Sequence, residues 1–184
     1  MPKQLTPAAF PLPDDFLRAR APGLYILTGP RGCGKTTWCQ ALADAARRRK
    51  LSIGGVLSSA VMDGNNKVGI EMRLLPGDEV RSLAAVRTQV QPNAWSKHWI
   101  INEATLAWAD AYLARLPRPD LLIIDELGPL EFGAGRGLQA AFFLLDNWEN
   151  GAAVVVIRPE LLASAFGRWP EARLIAVSET HADD

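Results

Sequence analysis

Residues 24–38 (LYILTGPRGCGKTTW) join an apolar run to the pattern G-x-x-x-x-G-K-[ST], and no other stretch of the 184-residue chain restricts its fold as much. The pattern carries Gly29, Gly32 and Gly34, where successive backbone N–H groups curl around phosphate oxygens and a Cβ would obstruct the turn. Pro30, Arg31 and Cys33 complete the loop. Lys35 is placed to reach the β- and γ-phosphates, and the Thr36 hydroxyl to coordinate Mg²⁺. Thr37, in the first turn of the helix that follows, can reach the α-phosphate, with the helix N-terminus aimed at the same anion. The loop predicts ATP or another nucleoside triphosphate as ligand, with Mg²⁺ as its cofactor.

Such a loop has to follow a buried strand and open a helix, and residues 24–28 and 35–49 have those characters. Further along, 52–59 (SIGGVLSS), 120–124 (DLLII), 152–157 (AAVVVI) and 173–177 read as strands. Helices are expected after Asn102 as N-cap, with Leu106, Ala109, Leu113 and Leu116 on one face, over 138–150, and over 160–166 behind Pro159. Strands alternating with helices predict a three-layer α/β domain with a mostly parallel sheet and ligand chemistry at the strands' carboxyl ends. One interruption stands out. Asp63-Gly64-Asn65-Asn66 is turn chemistry between short alternating segments, so 61–74 reads as a hairpin, extended through 80–86, inside an insertion around 60–100. Residues 89–98 read as loop.

Residues 1–22 hold Pro2, Pro7, Pro11, Pro13 and Pro22 without clear periodicity. They are expected to form an irregular arm, packed through Phe10, Leu12, Phe16 and Leu17, ahead of one domain over 23–184. Twenty Lys and Arg against twenty Asp and Glu leave no net charge, so no global field draws nucleic acid or an anionic membrane, and nucleic acid is not an expected partner. The RRRK run at 47–50 reads as cations at a helix end. Cys33 and Cys39 fit neither a zinc nor a redox pair, no leader or membrane span is evident, and a reducing, cytoplasmic setting is expected.

A Mg²⁺ ion at the phosphate loop needs an acid at the end of a second buried strand, and LLIIDE supplies Asp125. Glu126, next to it, can orient a water toward the γ-phosphorus or take its proton, which makes it the candidate catalytic carboxylate and favours hydrolysis over simple binding. The pair also suggests the branch of phosphate-loop proteins in which another strand separates the Walker A strand from the Walker B strand.

At these residues the chain resembles the small nucleoside-triphosphatases described first in thermophiles, also known as the cancer-related nucleoside-triphosphatase family. The likeness rests on ILTGPRGCGKTT, IGGVLSS, KVGIEM and LLIIDELGPLEF, the last matching D-E-[IL]-G-[PK]-[ML]-E beyond a generic Walker B. It covers residues 24 to about 178. It implies Mg²⁺-dependent hydrolysis of nucleoside triphosphates to diphosphate and phosphate, broad in base, with binding stretches at 29–36 and 121–128. Two segments depart from the family pattern. Residues 58–62 (SSAVM) stand where an E-V-R-like segment is usual, and Ile157-Arg158-Pro159 where T-[IV]-H is common.

Arg136, in the GAGRG loop, is a candidate cation over the transition state, with Arg31 and Arg158 as rivals. Trp169 could stack a base. For Cys33 two readings stand, an oxidation-sensitive thiol near a helix N-terminus and a small residue chosen for packing. His98 and His181 have no metal-ligand set around them, and the guanine-selecting N-K-x-D is absent. Two other functions share these motifs. A small-molecule kinase would bind an acceptor through the hairpin region and the 89–98 loop, and a nucleotide-dependent switch would act on a partner protein.

Overall fold

A computed structural model describes residues 11–77, 79–87 and 98–176. The elements in chain order are α1 (Pro13–Ala19), β1 (Gly23–Thr28), α2 (Lys35–Arg48), β2 (Ile53–Asp63), β3 (Asn66–Leu75), β4 (Val80–Val86) and β5 (Trp99–Ile101). Then come α3 (Glu103–Leu113), β6 (Leu121–Leu127), α4 (Pro129–Ala134), α5 (Gln139–Asp146), β7 (Ala152–Ile157), a 3-10 turn at Pro159–Leu161, α6 (Leu162–Arg168) and β8 (Arg173–Ala176).

The strands form one sheet in the order β5-β4-β3-β2-β6-β7-β1-β8. From β2 to β8 the pairings are parallel, and β3, β4 and β5 continue it antiparallel. The strand carrying the phosphate loop, β1, is separated from β6 by β7, as the sequence predicts for this branch.

Successive residues of a strand face opposite sides of a sheet, so a strand buried on both sides reads as unbroken apolar sequence. Tyr25, Leu27, Ile123, Val154 and Val156 join the core under α1 and α2. Ile26, Ile124, Val155 and Ile157 join the one under α3, α5 and α6. Where β2 crosses β6 the backbones meet so closely that a Cβ on Gly55 would lie 1.9 Å from the Ile123 carbonyl oxygen, and the glycine also adopts φ +118°. That contact holds the hairpin strand in register with the strand of Asp125.

Four elements differ from expectation. The proline-rich arm contains α1, because Pro13 at the first position and Asp14 and Asp15 in the first turn are helix-start chemistry that the proline content hides. Phe16 and Leu17 are buried as expected, whereas Leu12 is exposed. The ring of Phe16 meets Trp38 edge-on at 5.5 Å and Tyr25 at 5.0 Å. Trp38 Nε1 donates to the Pro11 carbonyl at 3.0 Å, and Asp14 pairs with Arg48 and Arg49 at 3.0 Å, so the arm runs along α2. The short strand β5 and the helix α4 were also not expected, and the helix placed over 138–150 ends at Asp146. Asn102 caps α3 as expected, its side chain accepting from the Thr105 amide at 3.2 Å. The expectations for Phe10, for 89–97, for Val177 and for His181 lie outside the described residues.

Candidate active site

The loop after β1 turns on glycines with positive φ, +156° at Gly29, +81° at Gly32 and +90° at Gly34. No atom lies within 4 Å of where a Cβ would stand on Gly32 or Gly34, so the loop borders open space rather than packed protein. Lys35 opens α2 and curls its ammonium back over the loop, donating to the Gly29 carbonyl at 2.7 Å and the Pro30 carbonyl at 2.6 Å, with Cys33 Sγ at 3.6 Å. Arg31 and Thr37 are exposed at its rim.

Across from it, Asp125 is 2% exposed. Its carboxylate accepts from the Ser58 amide at 3.0 Å and from the Thr36 hydroxyl, with Lys35 nearby. Burial outweighs these bonds and raises its pKa from 3.8 to about 6. The same burial pushes the Cys39 thiol up, with Asp125 adding to the effect. Thr36 and Asp125 thus bring two hard oxygen donors together at the end of the loop, a set that suits Mg²⁺. The raised carboxyl pKa marks a site where a bound cation would relieve the buried charge. No cluster of three or more His, Cys, Asp or Glu suited to a metal occurs among the described residues. A Mg²⁺ ion at such a loop draws its other ligands from phosphate and water.

In a regular strand Asp125 and Glu126 would point to opposite faces of the sheet. Here the β6–β7 register shifts: Ile124 pairs with Val155 and Leu127 with Ile157, so β6 has one extra residue at the Asp-Glu pair. Glu126 takes that distortion with φ +79°, a conformation non-glycine residues rarely hold. Its carboxylate accepts from Arg158 Nε, the first residue beyond β7. Charge interactions link Glu126 to both Asp125 and Lys67.

The turn beyond Glu126 is held by Glu131, whose buried carboxylate accepts from the Gly128 amide at 2.8 Å and the Leu138 amide at 3.2 Å. Burial raises its pKa. The sequence motif contains Glu131 but gives no hint of this bracing role, which depends on the return of the chain at Leu138.

Of the other candidates, Arg158 faces the Asp-Glu pair, whereas Arg136 pairs with Glu103 at 2.8 Å. Trp169 is not a free platform for a base. It is 6% exposed, stacked on Phe142 at 5.8 Å and edge-on to Phe132 at 6.1 Å, with its Nε1 donating to Asp146 at 2.8 Å. An apolar ring at the end of a short helix found more area to bury in the core than at the surface. Lys67, in the hairpin, was not expected at the site; its ammonium interacts by charge with Arg31, Arg158 and the two acids.

A family model described as NTPase matches residues 24–183. The nucleoside-triphosphatase THEP1 of Thermococcus kodakarensis is 30% identical over 133 residues, covering 71% of this chain and 74% of the relative. That of Thermofilum pendens is 31% identical over 124 residues, 67% and 68% of the two chains. Among solved structures, a human cancer-related nucleoside triphosphatase superposes with a TM-score of 0.64 at 18% identity, covering 86% of this chain and 90% of that one, a likeness of fold.

Proposed function

The chain belongs to the NTPase family and hydrolyses nucleoside triphosphates, and from that premise we propose that it does so with Mg²⁺, on ATP, GTP and other triphosphates. The observation that supports this reading is the extra residue of β6 at the Asp-Glu pair, with Glu126 in charge interaction with Asp125 and Asp125 bonded by Thr36 of the phosphate loop. The loop amides and Lys35 hold the phosphates, and Thr37 reaches the α-phosphate. Thr36 and Asp125 would hold the metal ion, which would neutralise charge on the β- and γ-phosphates.

Glu126 has one carboxylate oxygen engaged by Arg158 and a second with which to accept a proton from the attacking water. Arg158 fixes that carboxylate in place and adds positive charge beside the transferring phosphoryl group. Most of the acceleration comes from positioning and charge rather than from covalent chemistry. The absence of N-K-x-D is consistent with a broad choice of base.

The direct test is phosphate release by the purified protein from ATP, GTP, CTP and UTP with Mg²⁺ and no other substrate. Release from several of them supports this reading. Tight binding without release removes autonomous hydrolysis and turns the search to an acceptor or a protein partner.

A further inference from the structure

The β2–β3 hairpin is longer than sheet formation requires. Pairing of β2 with β6 stops at Val56 opposite Ile124, yet β2 runs on to Asp63, with only β3 beside it among the described strands. The overhang starts where the Ser58 amide grips Asp125, so it leaves the sheet at the catalytic edge. Its register shifts between Val61 and Met62, the irregularity that bends a two-stranded ribbon. Met62 then pairs with Lys67, one residue past the tip.

The Lys67 side chain has a definite contact. Its ammonium lies over the Trp99 ring, 5.3 Å from the centroid. The charges that act on it are Arg31 of the phosphate loop, Arg158 beyond β7, and the acids Glu126 and Asp125. Loss of solvent around the ammonium and the nearby arginines lower its pKa, against the pull of the acids. Arg31 and Arg158 thus both act on the Lys67 charge, with Glu126 and Asp125 opposing them. Like charges gathered this way cost energy in the free protein, and a polyanion placed among them relieves it.

Among these cations Arg158 is engaged by Glu126, and Arg136 elsewhere by Glu103. Lys67 has a ring face beneath it, a contact that steadies a cation without neutralising it. We propose that Lys67 is the catalytic cation that the insertion hairpin lays against the γ-phosphoryl group, so that the chain supplies this charge itself rather than borrowing it from a neighbouring subunit. The inference rests on the hydrolase reading. The hairpin then has a catalytic reason for its length, since a shorter ribbon would end before the loop.

The test compares wild type with Lys67→Ala and Lys67→Arg, reading steady-state phosphate release from ATP with Mg²⁺, and binding of ADP with and without aluminium fluoride. Lys67→Ala should lose about 30- to 300-fold in kcat, keep ADP affinity within about twofold, and lose the added affinity conferred by aluminium fluoride; a lost donor to transition-state charge predicts that split. Lys67→Arg should restore most of the turnover. Wild-type kcat in Lys67→Ala, or equal loss of ADP binding with and without aluminium fluoride, overturns the proposal while the hydrolase reading stands. Absence of phosphate release from the wild type overturns both.

Discussion

The backbone N–H of Ser58 donates to Asp125 Oδ2 at 3.0 Å, fastening the strand that carries the hairpin to the carboxylate at the end of β6. Adjacent strands of a parallel sheet commonly share only ladder bonds. Here one acid is bound by the neighbouring strand's amide and by the helix hydroxyl of Thr36, so three elements converge on one buried charge.

That charge is costly in the metal-free protein. Burial lifts the Asp125 pKa from 3.8 to about 6, above its unfolded value, so the contribution to stability is fully present below about pH 4 and is lost as pH rises through 6. The shift corresponds to about 3 kcal/mol by linkage. Asp125→Asn keeps an oxygen for the Ser58 amide and removes the charge. It should melt above wild type at pH 8 without Mg²⁺, match it near pH 4, and lose turnover. A variant that melts lower at both pH values would contradict this account.

Glu126→Gln should bind ATP within about threefold of wild type and lose about 10²-fold or more in kcat, because an amide cannot take the water's proton. Single-turnover phosphate release measures it. Arg158→Ala should lower kcat by about tenfold or more by freeing the Glu126 carboxylate and removing a neighbouring positive charge. Undiminished turnover in Glu126→Gln would remove that carboxylate from the reaction.

Lys35→Ala removes the ammonium that curls over the Gly29 and Pro30 carbonyls. Triphosphate affinity should fall by more than about 100-fold, in line with loss of a charge-assisted contact in a partly buried site. Calorimetric titration with a non-hydrolysable triphosphate reads this directly, and unaltered affinity would deny Lys35 its phosphate contact.

Trp169→Ala should destabilise the fold by about 3–5 kcal/mol, the usual cost of emptying a buried aromatic site. The ratios of kcat/KM among ATP, GTP, CTP and UTP should not change. A shift in base preference would restore a stacking role that the packing on Phe142 argues against.

The phosphate loop, the strand order around it and the Asn102 cap are legible in sequence because each is local: glycines at fixed offsets, an apolar run, a side chain three residues from its acceptor. The expected Asp125–Glu126 pair is equally visible, but its usefulness depends on a strand irregularity that no periodicity announces. Lys67 and Trp169 show the same limit from opposite sides. A lysine in a plain hairpin comes to lie over the Trp99 ring, and a tryptophan beside a proline sinks into the core, both decided by long-range packing. In the arm, proline counting concealed a helix whose start signals were present in Pro13, Asp14 and Asp15.

Helix α1 is tied to α2 near its start, where Trp38 meets Pro11 and Phe16, and again at its end, where Arg48 and Arg49 meet Asp14. It lies against α2 as a splint lies along a bone. Loosening that splint at Phe16 or Asp14 would therefore be felt along the whole of the helix that opens with Lys35.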